Sequence, residues 1–249
     1  MSISSNRCQR SYPWLITLLA PVAVTVLWAN SASAAMTEKA IVGDVFADSS
    51  GVPCAAGTTD LGVSDGWYRG TAGTPVKVPI RLCAVPNLAS SGAESIRGTR
   101  FSINNANGNA IVNSRVSGAV YSMISDMKEE GIATRALSSY RSMRHQQVLC
   151  NEDSKCRNGC YDFVAQPGTS NHQMGIAIDF AGLSTKAAGA TKVTGAACAT
   201  RSGASCATRA RAQNSGVWRW LNAHAADYGF TQYALEAWHW EPRKTADRC

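Results

Sequence analysis

Hydrophobic residues recur at helical spacing in one long segment of this chain, residues 113–129. Its apolar positions are Val116, Ala119, Val120, Met123, Ile124 and Met127, which fall on one face of a helix. Asn113 or Ser114 suits the start of this helix, and Gly131 suits its end. The pattern therefore predicts an amphipathic helix that buries one face.

Shorter patterns predict strands and a second helix. Residues 76–82 alternate between apolar and other side chains, which is typical of a strand. Residues 176–180 are also predicted to form a strand, which follows the turn residue Gly175. A second helix is predicted over residues 215–228, followed by a strand after Gly229. Because helices and strands mix without a regular βαβ alternation, the fold class predicted is α+β.

The first 34 residues have the pattern of a signal peptide. Arg7 and Arg10 precede an apolar stretch over residues 13–28, and the small residues Ala32-Ser33-Ala34 fit a cleavage site. An uncleaved membrane anchor is the alternative. We predict a signal peptide over residues 1–34, a small β-rich N-terminal attachment over residues 35–110 and a main domain over residues 111–249. This organisation predicts a protein that is secreted, periplasmic or associated with the cell wall.

Charge and cysteine content agree with export. The chain has 249 residues and a formal net charge of +7; removing residues 1–34 takes away two arginines and leaves about +5. A basic exported protein is expected to meet an anionic cell wall rather than nucleic acid, and a membrane only if the first segment is retained. We expect a monomer.

Eight of the nine cysteines remain once Cys8 is removed with the leader. An even number in an exported chain predicts up to four disulfides, and Cys54 and Cys83 are placed to staple the N-terminal segment. A metal cluster at Cys150, Cys156 and Cys160 is the competing interpretation, which the absence of a CxxC pair disfavours. Residues 181–214 are expected to form a disulfide-tied loop.

Histidine is scarce, so the surroundings of each histidine are informative. Of four histidines, His172 lies seven residues before Asp179, and His239 lies in a second motif near the C-terminus. Catalytic zinc takes three nitrogen or oxygen ligands and keeps one position for water. Gly175 would let the chain bend so that His172 and Asp179 face one point. These residue types predict a Zn²⁺ site made by His172, Asp179 and His239.

Two further side chains suit hydrolysis at such a site. Glu236, three residues before His239, is predicted to be the general base, and Trp238 and Trp240 are expected to wall the site. Arg141 offers a rigid fork of donors for a carboxylate or a developing oxyanion.

The two other histidines are not expected to bind the metal. His145 is expected at the surface or at the edge of the substrate, and His224 in the core or at its boundary. The residue types and spacing alone also allow a purely structural interpretation, in which the histidines lie in loops, the charged residues lie at the surface and the tryptophans pack in the core.

Three motifs together resemble the VanY-type D-alanyl-D-alanine carboxypeptidases, zinc peptidases with a hedgehog-related fold. The family pattern has Ser-x-Tyr-Arg-Ser, then Ser-x-His-x-x-Gly-x-Ala-x-Asp, then Glu-Pro-Trp-His-Trp. This chain has matching runs at residues 138–142, 170–179 and 236–240, in the same order. Two departures are Ala237 in place of Pro and Asn171 where the family often has Glu.

The resemblance implies a secreted zinc carboxypeptidase that removes a terminal D-amino acid from peptidoglycan stem peptides. It implies that Arg141 contacts substrate or stabilises charge, and that Ser170 and Gln146 line the substrate pocket. D,D and L,D specificity stay open, as does an endopeptidase of the same fold. A zinc-stabilised wall-binding module without turnover is the non-enzymatic alternative, which has no need of Glu236. A serine mechanism is disfavoured because Ser102-Ile103-Asn104 precedes Ser125-Asp126-Met127-Lys128, the wrong order.

Overall fold

A computed structural model describes residues 40–90, 93–96, 99–102, 108–159, 164–183, 215–233 and 236–243. The predicted signal peptide, most of the predicted loop at 181–214 and Cys160, Cys198, Cys206 and Cys249 lie outside the described residues. None of the helices within the described ranges is long and apolar enough to span a membrane.

Helices and strands are mixed in the described ranges, which confirms the α+β class. The strands are β1 (Thr59–Arg69), β2 (Pro75–Ala89), β3 (Ala93–Ile96), β4 (Thr99–Ser102), β5 (Asn109–Asn113), β6 (Ala136–Ser138), β7 (Ile178–Phe180), β8 (Phe230–Gln232) and β9 (His239–Pro242). The helices are α1 (Ser114–Glu129), α2 (Met143–Glu152), α3 (Ser154–Arg157) and α4 (Gly216–His224), with 3₁₀ turns at Asn171–Met174 and Ala225–Tyr228. The strands form three antiparallel sheets, ordered β1-β2-β5, β3-β4 and β6-β7-β9-β8.

The first sheet links the N-terminal segment to the rest of the chain. The strand predicted over residues 76–82 lies inside β2, which pairs with β1 on one side and with β5 on the other. A disulfide joins Cys54 to Cys83, as expected for this segment. The sheet thus crosses residue 110, the predicted end of the attachment, and that domain boundary stays a prediction.

The helix predicted from residue 113 is α1, and its cap and its buried face agree with the prediction. Asn113 accepts a hydrogen bond from the backbone N–H of Arg115 over 3.0 Å, which satisfies one of the free donors at the helix start. All six predicted apolar positions are buried in one hydrophobic cluster with residues of both larger sheets. Gly131 follows the helix at φ +74°, a left-handed conformation that glycine adopts without strain.

The second predicted helix is shorter than expected. It ends at His224, and the predicted last turn is a 3₁₀ turn over Ala225–Tyr228 that leads to Gly229 at φ +77°. Tightening of a last turn before a left-handed glycine is a common way to satisfy terminal carbonyl groups. The strand predicted next is β8.

Cys150 and Cys156 form a disulfide, which joins the end of α2 to α3. These two cysteines therefore do not carry the thiolates that the competing metal-cluster interpretation requires.

Candidate metal centre

A row of paired residues runs across three strands of the second sheet. Ser138 on β6 pairs with Asp179 on β7, and Asp179 pairs with His239 on β9. Directly paired residues in an antiparallel sheet present their side chains on the same face, about 5 Å apart. Sheet register therefore brings Asp179 and His239 together although 60 residues separate them.

His172 reaches the same face from a 3₁₀ turn, Asn171–Met174, that ends at Gly175. Gly175 has φ +67°, and a Cβ atom there would lie 2.9 Å from the backbone nitrogen of Asn113. Only glycine combines this left-handed backbone with so close an approach. The turn is also held by a hydrogen bond from the N–H of Asn113 to the carbonyl of Gly175, 2.8 Å. The bend predicted at Gly175 is thus observed.

Three predicted ligands converge on one point. One potential ligand atom each from His172, Asp179 and His239 lies within 4.8 Å of the other two. The Nε2 of His172 is 3.2 Å from Nδ1 of His239 and 3.2 Å from Oδ2 of Asp179. The Nδ1 of His239 is 3.1 Å from Oδ1 of Asp179. The two histidines and Asp179 are largely buried.

The outer nitrogen of each ring shows that this cluster suits a cation. His172 places Nδ1 2.8 Å from the carbonyl oxygen of Ser139, which accepts only, so that nitrogen carries the proton. His239 places Nε2 2.9 Å from a carboxylate oxygen of Glu241, which likewise favours a proton there. With only these outer nitrogens protonated, each ring turns a lone pair toward Asp179. Two lone pairs and a carboxylate at these distances repel one another unless a cation lies among them.

The pKa values of these groups agree with that electrostatic picture. Burial, assisted by the nearby Arg141 cation, lowers the pKa of His172 to about 4, so this ring is neutral at pH 7. Burial opposes charge on Asp179, but the two histidines outweigh it and hold the pKa of that carboxyl well below its usual value. Burial also opposes charge on His239, yet hydrogen bonds to Asp179 and Glu241 raise its pKa to about 10. Without a metal ion, a second proton on Nδ1 of His239 therefore supplies a positive charge between Asp179 and Glu241. A bound cation would take the place of that proton.

Arg141 borders the cluster of His172, Asp179 and His239. Its guanidinium donates from Nη2 to Oδ2 of Asp179 over 2.9 Å, from Nε to Ser138 Oγ over 2.8 Å, and from Nη1 to Gln146 Oε1 over 3.2 Å. These bonds use three of its five N–H groups. Gln146 is fully buried, and its amide nitrogen donates to the carbonyl of Ala165. In this geometry Gln146 holds Arg141.

Glu236 and Ser170 lie at the site in different ways. Glu236 is buried, and its Oε2 is 3.8 Å from Nδ1 of His239, the ring nitrogen that points toward His172 and Asp179. It is therefore adjacent to the cluster without belonging to the three converging residues. Ser170 is buried and begins the turn that carries His172.

Three expectations about neighbouring aromatic and histidine residues differ from the structure. Trp240 belongs to the hydrophobic core and does not wall the site, because consecutive residues of β9 point to opposite faces and His239 takes the site face. His145 is buried beside Gln146 on α2, whereas His224 is exposed at the end of α4 and lies against the Trp220 ring.

Three side chains around His239 escaped the sequence analysis as site residues. Glu241 contacts its outer nitrogen, Asn171 contacts Glu241, and the Tyr233 ring lies edge-on with its centroid 5.6 Å from that of His239. The period of two in a strand was the available signal for Glu241, because it places residues 239 and 241 on one face.

The fold of this chain is similar to those of several known proteins. Structural similarity extends to a mutant of the vancomycin-resistance D,D-pentapeptidase VanY from a VanB-type cassette, in complex with Zn(II), at 19% identity and a TM-score of 0.37, over 64% of this chain and 82% of that chain. It extends to VanYB in complex with D-alanine-D-alanine, at 20% identity and a TM-score of 0.36, over 62% and 79% of the two chains. It also extends to the LD-carboxypeptidase LdcB, at 23% identity and a TM-score of 0.37, over 66% and 70%.

No curated protein matches this chain significantly. The family model VanY, D-alanyl-D-alanine carboxypeptidase, matches residues 109–242, more than half of the chain, and this span contains every predicted site residue. The chain therefore belongs to the VanY family of D-alanyl-D-alanine carboxypeptidases.

Proposed function

We propose that this protein is an exported, Zn²⁺-dependent carboxypeptidase that removes D-alanine from the C-terminus of peptidoglycan stem peptides. The convergence of His172, Asp179 and His239 within 4.8 Å, in a chain of this family, carries the proposal. Two imidazoles and one carboxylate are the donor types of catalytic zinc sites. Zn²⁺ at such a site polarises the scissile carbonyl and lowers the pKa of water from 15.7 to about 7.

Glu236 supplies the general base. Its carboxylate lies 3.8 Å from the ring nitrogen of His239 that faces the cluster, close enough to reach a water held there. It takes a proton from the attacking water and passes it to the leaving amine. Its burial beside the cluster keeps bulk water from competing for that proton.

Arg141 supplies recognition of the substrate's C-terminus. Two of its five N–H groups are not used by the hydrogen bonds to Ser138, Gln146 and Asp179 described above, and a planar guanidinium suits a carboxylate. The bonds that it does make hold the side chain in place, so it meets the substrate with little loss of rotamer freedom. A free C-terminal carboxylate is what distinguishes a carboxypeptidase substrate from a crosslink.

Export is supported by two observations. The first 34 residues have the charged, apolar and small-residue pattern of a signal peptide. Disulfides at Cys54–Cys83 and Cys150–Cys156 are expected of a protein outside the reducing cytosol.

The test combines metal analysis with D-alanine release from defined tripeptide, tetrapeptide and pentapeptide stems. We expect about one Zn²⁺ per chain in the wild type and in Glu236→Gln. D-Alanine release should fall at least ~100-fold in that variant, the low end of general-base contributions. Glu129→Gln, on the exposed end of α1, is the matched control and should keep full activity.

Each other outcome counts against a defined part of the proposal. Activity retained in Glu236→Gln would remove this carboxylate from its role. A wild type that binds zinc and cleaves no stem peptide would favour the wall-binding alternative. Cleavage of crosslinked dimers in preference to free stems would identify an endopeptidase instead.

A further inference from the structure

Glu241 is a buried carboxylate directly behind a predicted metal ligand. It lies two residues after His239 on β9, so both side chains leave the strand on the same face. Only 3% of the residue is exposed. A carboxylate is costly to bury unless its charge is compensated by hydrogen bonds or a partner charge. The groups that compensate the charge of Glu241 therefore indicate its role.

One oxygen of Glu241 receives both of the hydrogen bonds that define its position. Oε2 lies 2.9 Å from Nε2 of His239, the nitrogen turned away from the metal cluster. The same oxygen accepts a hydrogen bond from the side-chain amide of Asn171 over 2.6 Å. The carboxylate is thereby held between the strand that carries His239 and the turn that carries His172.

This arrangement selects one tautomer of His239. A carboxylate can only accept when ionised, so Nε2 carries a proton, and Nδ1 is the nitrogen that can offer a lone pair to a metal ion. Nδ1 is the atom that lies 3.1 Å from Asp179 Oδ1 and 3.2 Å from His172 Nε2. The opposite tautomer would point a proton at the metal and leave Nε2 repelling Glu241.

Asn171 supplies the hydrogen-bond donor that the carboxylate of Glu241 needs. The family pattern often has Glu at this position, and a carboxylate there would face the carboxylate of Glu241 within hydrogen-bond distance. The amide of Asn171 donates instead, and it does so from the residue next to His172. The departure from the family pattern at Asn171 and the identity of Glu241 thus explain each other.

We propose that Glu241 and Asn171 form a positioning pair that sets the tautomer and orientation of His239 and thereby the metal affinity of the site. The inference rests on the proposed function, because it assumes that His239 binds the metal. Carboxylates that accept the outer N–H of a ligating histidine typically change metal affinity by 10–100-fold when removed.

The experiment measures Zn²⁺ affinity by competition with a chromophoric chelator, without any substrate. Glu241→Gln keeps an acceptor but loses the charge, and we expect about tenfold weaker binding. Glu241→Ala loses the acceptor, and we expect weakening toward ~100-fold. Asn171→Ala should weaken binding less than Glu241→Ala, because it only loosens the carboxylate. Glu129→Gln is the matched control and should bind as the wild type does.

A second readout separates positioning from simple loss of stability. In the Zn²⁺-loaded wild type, the Nε2 proton of His239 should give a slowly exchanging downfield NMR signal, and the Co²⁺-substituted protein a defined visible spectrum. Both should change in Glu241→Ala even where the thermal unfolding midpoint of the metal-free protein does not.

The outcomes distinguish this inference from the function on which it rests. A wild type that takes up no Zn²⁺ would overturn the proposed function. A wild type that binds Zn²⁺ while Glu241→Ala binds it equally well, with an unchanged Co²⁺ spectrum, would overturn the positioning role alone.

Discussion

Arg141 and Asp179 share a hydrogen bond of 2.9 Å between Nη2 and Oδ2, which joins the predicted substrate-binding cation to a predicted metal ligand. The side chain of Arg141 is 15% exposed and that of Asp179 9%. The bond is therefore shielded from water, where a charged pair interacts more strongly than at a surface. Under the proposed function, the cation that meets the peptide terminus and one ligand of the metal are therefore in direct contact.

Replacing Arg141 should separate substrate recognition from metal binding. Arg141→Lys keeps the charge but loses the planar fork that bonds Ser138, Gln146 and Asp179 at once. We expect kcat/KM on free stem peptides to fall at least ~100-fold, since each charge-assisted hydrogen bond contributes roughly 1.5–3 kcal/mol. Zinc content should stay near one per chain, measured by elemental analysis.

The control for this change is Arg144→Lys, at an exposed position of α2, the helix that begins two residues after Arg141. It should leave kcat/KM unaltered. A peptide with an amidated C-terminus should be a poor substrate for the wild type and lose little further in Arg141→Lys. Equal losses on free and amidated peptides would argue against recognition of the terminal carboxylate by Arg141.

Gly175 should be far less tolerant of a side chain than Gly131, which is also left-handed. Gly131 has φ +74° and no atom within 4 Å of an added Cβ, whereas a Cβ on Gly175 would lie 2.9 Å from the nitrogen of Asn113. Gly131→Ala should cost about 1 kcal/mol, from the backbone conformation alone. Gly175→Ala should cost at least about twice that, because the turn must also move away from β5.

Urea unfolding of the two metal-free variants gives both free energies directly. Zinc affinity should fall in Gly175→Ala and not in Gly131→Ala, because only the former displaces the turn that carries His172. Equal stability losses in the two variants would show that the contact with Asn113 is relieved at little cost.

The local features of the sequence were the ones that could be predicted. The apolar face of α1 and the cap at Asn113 depend on neighbours within a few residues, and so does the bend at Gly175. The pairing of β2 with β5 depends on packing between distant segments, and no local pattern reveals it.

The residues of the site also differ in how far the sequence could predict them. The motifs named the three converging residues, whereas the role of Glu241 depends on which face of β9 carries His239. The burial of Gln146 likewise depends on where Arg141 and Ala165 lie in space. Register and burial are properties of the folded sheet, so the sequence alone did not reveal either.

Stability at alkaline pH should depend on Tyr228. Its hydroxyl donates to Oδ2 of Asp126, which ties the 3₁₀ turn to α1, and burial followed by this bond raises the pKa of Tyr228 above its usual value near 10. A raised pKa means that the folded state retains a proton that the unfolded chain loses. The stabilising contribution is therefore complete below pH 10 and declines as the pH rises beyond it.

Urea unfolding between pH 8.5 and 11 tests this expectation. The free energy of unfolding should fall more steeply above pH 10 in the wild type than in Tyr228→Phe, which lacks the titrating group. Tyr121→Phe, a partly buried position on α1, is the control and should keep the steep slope. Parallel curves for wild type and Tyr228→Phe would remove Tyr228 as the cause.

Removing the metal should lower the thermal stability of the protein through His239. A ligand that binds only the folded state stabilises it by about 2.7 kcal/mol at a free concentration of 100 times Kd. One kcal/mol corresponds to roughly 2–4 °C in Tm for a domain of 150–250 residues. We therefore expect chelation of the Zn²⁺-saturated wild type to lower Tm by roughly 5–10 °C, measured by differential scanning fluorimetry.

His224→Ala, which changes an exposed histidine outside the cluster, should retain this shift, and His239→Ala should lose it. A shift that survives in His239→Ala would place the stabilising metal somewhere other than the cluster of His172, Asp179 and His239.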